Sequence, residues 1–109
     1  MAYDEDVAER LREALAAQDV TEKKMFGGLA FLINGHMAVA ASGQGGLLLR
    51  CDPDQTSSLV EPPHVGRFEM RGREMNGWLR VDGPAIDSDT DLARWVDIGV
   101  GYALSLPPK

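Results

Sequence analysis

These 109 residues predict an α+β fold, with elements in the order α-β-β-β-α-β-β-α. Three observations carry that reading. Both ends of the chain are helix-periodic, the middle is a hairpin almost free of polar residues, and two short strands follow a proline-initiated helical turn.

The first helix is expected over residues 4–18. Val7, Leu11, Ala14 and Leu15 fall on one helical face there, and Asp4, Glu5 and Asp6 sit at the start, where the helix dipole favours anions. The hairpin follows, with strands at 24–33 and 36–42. Asn34-Gly35 supplies its turn, because a two-residue type I′ loop needs positive φ at both central positions. Simple pairing places Ile33 opposite His36, Phe31 opposite Ala38 and Leu29 opposite Ala40. Alternation then gives Met25, Leu29, Phe31 and Ile33 to one face and Phe26, Leu32, Met37 and Val39 to the other. A hairpin apolar on both faces must be covered on both.

Ser42–Gly46 reads as a loop and Leu47–Cys51 as a third strand. Asp52 is suited to cap a short helical turn that Pro53 begins and that runs to Val60. Strands are expected at 66–70 and 78–82, joined through Arg71–Glu74. The last helix runs from Ser88 or Asp89 to Leu106, with Leu92, Trp95, Val96, Gly99, Ala103 and Leu106 as its core stripe. Gly99 and Gly101 each cost about 1 kcal/mol relative to alanine inside a helix, which implies close approach to a sheet.

The chain has the length of one domain, residues 1–109, with 44% hydrophobic and 26% charged residues, as is ordinary for a globular protein. No apolar run approaches the roughly 20 residues that span a bilayer. The acidic start MAYDEDVAER has no apolar core of a signal peptide, and a single cysteine, Cys51, suits a reducing cytoplasm. The net charge of −6 opposes non-specific nucleic-acid binding. Its distribution is uneven: residues 1–22 carry −5, residues 23–50 carry +3 with no acid at all, and residues 67–80 carry +2. Helices are therefore acidic and strands neutral or basic.

Most candidate chemistry reads as structure. Gly27-Gly28 and Gly43–Gly46 lack the lysine of a phosphate loop and the spacing of a dinucleotide fingerprint, and paired glycines mark bulges or close backbone approach. Cys51 lies beside Asp52 and Asp54, which oppose thiolate formation. His36 and His64 show no metal-ligand spacing. The dense polar segment is Arg67–Arg80, RFEMRGREMNGWLR. A cross-strand Arg80–Glu69 pair is its structural account. Its functional account is a partner-binding patch made by Lys23, Lys24, Arg67, Arg71, Arg73, Trp78 and Arg80, with cations beside an aromatic ring.

Two stretches taken together, Lys24-Met25-Phe26-Gly27-Gly28 leading into the Asn34-Gly35 hairpin and Met70–Trp78, resemble the N-terminal domain of the TfoX/Sxy family, named for bacterial regulators of DNA-uptake competence. The resemblance covers nearly the whole chain. It implies a two-layer α/β sandwich with a five-stranded antiparallel sheet, of a type also seen in secretion-chaperone-like proteins. It also implies a non-enzymatic regulatory role with no cofactor. The family's motif positions fall on Met25, Phe26, Gly27, Gly28, Gly72 and Met75, where they suit structural roles. The competence regulators also carry a helical C-terminal domain, which lies beyond the span of this chain.

The expected function is thus a cytoplasmic regulatory or protein-interaction domain without metal or cofactor. Three helices would cover one sheet face and leave apolar area for a homodimer or protein partner. The alternative is direct nucleic-acid binding through the Arg67–Arg80 patch.

Overall fold

Asp4 opens the first helix, α1 (Glu5–Ala14), by accepting the backbone N–H groups of Asp6 at 2.9 Å and Val7 at 3.4 Å. Val7, Ala8, Leu11 and Leu15 are buried, while Ala14 faces solvent at the helix end. This is a computed structural model that describes residues 4–25, 27–43, 45–70 and 72–108, the side chain of Met70 excepted.

After α1 come four strands: β1 (Thr21–Met25), β2 (Gly28–Ile33), β3 (His36–Ala41) and β4 (Leu47–Arg50). A 3₁₀ turn (Pro53–Gln55) and a short helix, α2 (Thr56–Leu59), lead to β5 (Val65–Met70) and β6 (Arg73–Val81). A second 3₁₀ turn (Gly83–Ile86) precedes α3 (Asp89–Ser105), which Ser88 caps through the N–H of Asp91 at 3.1 Å. The six strands form one antiparallel sheet in the order β1-β2-β3-β4-β6-β5.

The α+β class holds, but among the described residues the sheet has six strands where five are expected. The single strand expected at 24–33 is two strands. Gly27, at φ 73°, lies in a tight turn between them, and Met25 pairs with Gly28 across it. Gly28 also lies so close to β3 that a Cβ there would stand 2.1 Å from the Ala41 carbonyl oxygen. The expected Asn34-Gly35 turn is present, with φ 54° and 85°.

The hairpin register differs from simple pairing beyond the turn. Ile33 opposes His36, but Phe31 opposes Val39 and Leu29 opposes Ala41, because Ala38 is an extra residue bulged out of β3. The bulge and the Gly27 turn exchange the faces of two residues. Val39 joins Leu29 and Phe31 beneath the helices, while Met25 joins Leu32 and Met37 on the opposite side.

Both long helices lie on one face. Val7, Leu11 and Leu15 from α1, with Leu92, Trp95 and Val96 from α3, pack on Phe31, Val39, Leu47, Leu49, Leu79 and Val81. Gly99 lets α3 approach the β3 bulge, since a Cβ there would lie 2.5 Å from the Ala38 carbonyl oxygen. Gly101 faces open space, so close packing does not account for it. Arg12 ties α1 to the sheet edge with two bonds to the Glu22 carboxylate, at 2.9 and 3.0 Å, and also pairs with Glu9. Those bonds hold the Glu22 carboxyl below its ordinary range and raise Arg12 further. The pair is solvent-exposed and adds little stability. Among the described residues, no helix is long and apolar enough to cross a membrane.

Candidate partner-binding face

The side of the sheet away from α1 and α3 carries the chain's second apolar cluster. Ala30, Met37, Ala40 and Leu48 are buried there, with half-buried Met25, Leu32, Phe68 and Trp78 packed around them. The register aligns one row across all six strands: Lys23, Ala30, Ala40, Leu48, Arg80 and Gly66. A cation thus stands toward each end of an apolar row. The sheet is strongly curled, because Met25 on one edge strand and Phe68 on the other line the same cavity of about 50 Å³ over Ala40 and Leu48.

The sequence-derived patch divides between the two faces. Lys23 pairs with Ala30, and Arg80 with Leu48, so both belong to the open face with Trp78. Arg73 alternates with Met75, which pairs with Phe68, and so lies on that face too. Lys24 pairs with Leu29 and Arg67 with Leu79, which places both on the helix side. There Arg67 donates to Asn76 Oδ1 at 3.0 Å and to Ser57 Oγ at 2.5 Å. Arg71 and Phe26 lie outside the described residues. Gly72, at φ 77°, turns the β5–β6 hairpin, and Met75 is half-buried opposite Phe68.

The expected Arg80–Glu69 pair is absent. Arg80 bonds Asp82 instead, and Glu69 faces Glu74 directly across the hairpin. The cause is a tight turn that pairs Met70 with Arg73, so that β6 starts well before the expected residue 78; a bulge of three residues then interrupts the pairing. Arg67 pairs with Leu79 and Phe68 with Met75, leaving Asn76, Gly77 and Trp78 outside the β5 ladder. Gly77 makes the bulge possible at φ 87°: its N–H donates to Thr56 Oγ1 at 2.7 Å, and its carbonyl accepts the Cys51 N–H at 2.9 Å. Arg67, Glu69, Glu74 and Arg80 surround an open depression of about 380 Å³ beside Gly66 and Phe68.

Arg50, which sequence reasoning passed over, stands at the end of β4 and reaches from this face to α3. It pairs with Trp78, and its guanidinium lies 5.4 Å from the Trp78 ring centre and 5.5 Å from that of Tyr102 on α3. Its strand parity with Leu48 was the available signal. What hid it was the need to know that β6, and not β5, lies beside β4.

The other candidates serve the fold. Cys51 is buried, and burial pushes its thiol up; the Thr56 hydroxyl 3.8 Å away pulls down, and Asp52 adds to the rise. His36 Nε2 lies 2.6 Å from the Pro107 carbonyl oxygen, which can only accept, so Nε2 donates and fastens the hairpin tip to the segment after α3. The Ser42–Gly46 loop joins two antiparallel strands, closed by Ser42 N–H to Gly46 O and Gly45 N–H to Ser42 O, both at 3.1 Å. Among the described residues, no three His, Cys, Asp or Glu side chains converge as metal ligands would.

Comparison with known proteins yields one match. The family model described as the TfoX N-terminal domain matches residues 10–103. No curated protein and no solved structure matches the chain.

Proposed function

Because the chain belongs to the TfoX N-terminal domain family, we propose that it is a non-enzymatic regulatory domain whose open sheet face binds a protein. One observation carries this reading: α1 and α3 cover a single face, while the other presents half-buried Met25, Leu32, Phe68 and Trp78 around an apolar row with cations toward its ends. A protein partner, another chain or a second copy, is the natural occupant of such a surface. The buried Cys51 thiol and the engaged His36 ring are consistent with a domain that catalyses nothing.

The test is a comparison of face variants. Tagged wild-type protein and a Trp78→Glu, Lys23→Glu variant would be purified from the native host under identical conditions, with sedimentation velocity at micromolar concentration to detect self-association. A partner or dimer kept by the wild type and lost by the variant is expected, with both proteins showing the same circular dichroism. Identical assemblies from the two would sink the proposal.

A further inference from the structure

We infer that the groove beside the C-terminal half of α3 takes an arginine- or lysine-bearing segment of another protein. The groove lies on the helix layer, so it is separate from the open sheet face and stands or falls independently of it. Asp97, Ile98, Gly101, Tyr102 and Ser105 of α3 form one wall, and Asp52 and Gln55 of the first 3₁₀ turn form the other. It is open to solvent and holds about 320 Å³, at the lower end of ligand pockets, which run from about 300 to 1,000 Å³. Gly101 sets it apart from an ordinary surface crease. Glycine inside a helix is less stable than alanine, yet no contact within the chain requires it here, since a Cβ would meet nothing within 4 Å. The buried side of α3 is the other one, carrying Leu92, Trp95, Val96, Gly99 and Ala103. The bare backbone at Gly101 therefore lines the groove, where it lets an occupant approach the helix closely.

Charge selects the occupant. Residues 1–22 and 81–109, which supply α1 and α3, carry −5 and −3. The arginines of this layer are already engaged: Arg10 with Asp89, Arg12 with Glu9 and Glu22, and Arg94 with Glu61. Asp97 pairs with no cation among the described residues. Asp52 Oδ1 accepts the Asp54 N–H at 2.9 Å, which leaves Oδ2 able to take a second donor. Arg50, the cation nearest the groove wall, is shared between the rings of Trp78 and Tyr102, 5.4 and 5.5 Å from their centres. A long cationic side chain matches what remains. Its methylene stem packs on Ile98 and Tyr102 while its head meets a carboxylate. The same carboxylates repel nucleic acid and other polyanions. In a second copy, Lys23, Lys24 and Arg73 lie on strands of the sheet and not beside the groove. A contact with that copy would be head to tail, building rings or open chains instead of a two-fold dimer.

The experiment selects a random 16-residue peptide library in parallel on the full wild-type chain and on a Gly101→Leu variant, whose side chain fills the groove. Because a Cβ at this position meets nothing, the variant should keep the wild-type circular dichroism and unfold at no lower temperature. The wild type is expected to enrich peptides in which Arg or Lys adjoins Leu, Ile or Phe, and the variant is not. Synthesised with a fluorophore, those peptides should shift resonances of Gln55, Gly101 and Tyr102. They should bind about tenfold more weakly to Asp97→Asn, and bind Asp91→Asn, an exposed acid of the same helix outside the groove, as they bind wild type. Replacing peptide arginine by citrulline, or lysine by acetyl-lysine, keeps the stem, removes the charge and should weaken binding likewise.

Acidic or neutral peptides enriched in the groove, peptides enriched equally on both proteins, or no enrichment at all would overturn the proposal. Enriched peptides that shift Leu32 and Trp78 instead would also overturn it, while supporting the open sheet face. Sedimentation in which wild-type chains assemble and Gly101→Leu chains do not would replace the proposed partner with a second copy.

Discussion

The hydroxyl of Thr56 holds more of the structure than its size suggests. It is fully buried, donates to the Pro53 carbonyl oxygen at 2.9 Å and accepts the Gly77 N–H at 2.7 Å. Removing it leaves a buried N–H without a partner, which costs about 1–3 kcal/mol. Thr56→Val keeps the volume, so the expected loss of about 2 kcal/mol in urea unfolding isolates the hydrogen bonds. A loss below about 0.5 kcal/mol would mean that water or a rearranged turn replaces them. The consequence reaches the open face, since the same bulge sets where Trp78 and Arg80 stand. The sequence offered no hint of this role, because Thr56 lies in a polar turn whose only readable signals were Asp52 and Pro53.

At the scale of elements, the two glycines of α3 separate cleanly. Gly99→Ala would drive a methyl group to 2.5 Å from the Ala38 carbonyl oxygen and 2.9 Å from Val39 Cγ1. Overpacking against backbone costs about 1–3 kcal/mol. Gly101→Ala meets nothing within 4 Å and should stabilise by about 0.5–1 kcal/mol through helix propensity alone. Thermal unfolding of the two variants should therefore move in opposite directions, and equal shifts would refute the packing of α3 on the bulge. The same pair shows what was legible. Periodicity located α1, α3 and the hairpin, because a buried stripe is written into the sequence itself. The Ala38 bulge, the three-residue bulge at Asn76–Trp78 and the split at Gly27 were not legible, since each is an accommodation to a neighbouring strand or helix. The site suffered accordingly: strands at 66–70 and 78–82 joined by a long connection predict Arg80 opposite Glu69, whereas the tight turn before Arg73 and the bulge after it place Arg80 opposite Gly66.

Across the whole molecule, stability should fall outward from β3 and β4. These inner strands are paired on both sides and lie beneath α3, whereas the outer half of the β5–β6 hairpin extends past the end of the β4 ladder. There Glu69 faces Glu74, and like charges directly opposite destabilise a strand pair. Native-state hydrogen exchange is expected to be slowest at Ala40, Leu48 and Leu79 and faster by orders of magnitude at Phe68 and Met75. Uniform protection across β6 would contradict this gradient.

The two outer strands of the sheet remain, each with a row of backbone groups able to recruit another strand. At β5 the chain closes its own first rung: Glu61 and Val65 exchange both backbone bonds, at 2.9 and 3.0 Å. At β1 nothing among the described strands does so, yet Glu22, Lys23 and Lys24 occupy three of its five exposed or half-exposed positions. Stacking that edge against itself would crowd ammonium groups whose hydration would have to be surrendered. Those lysines therefore act on solubility, and a chain in which both became apolar should precipitate by edge-to-edge growth while each molecule keeps its fold.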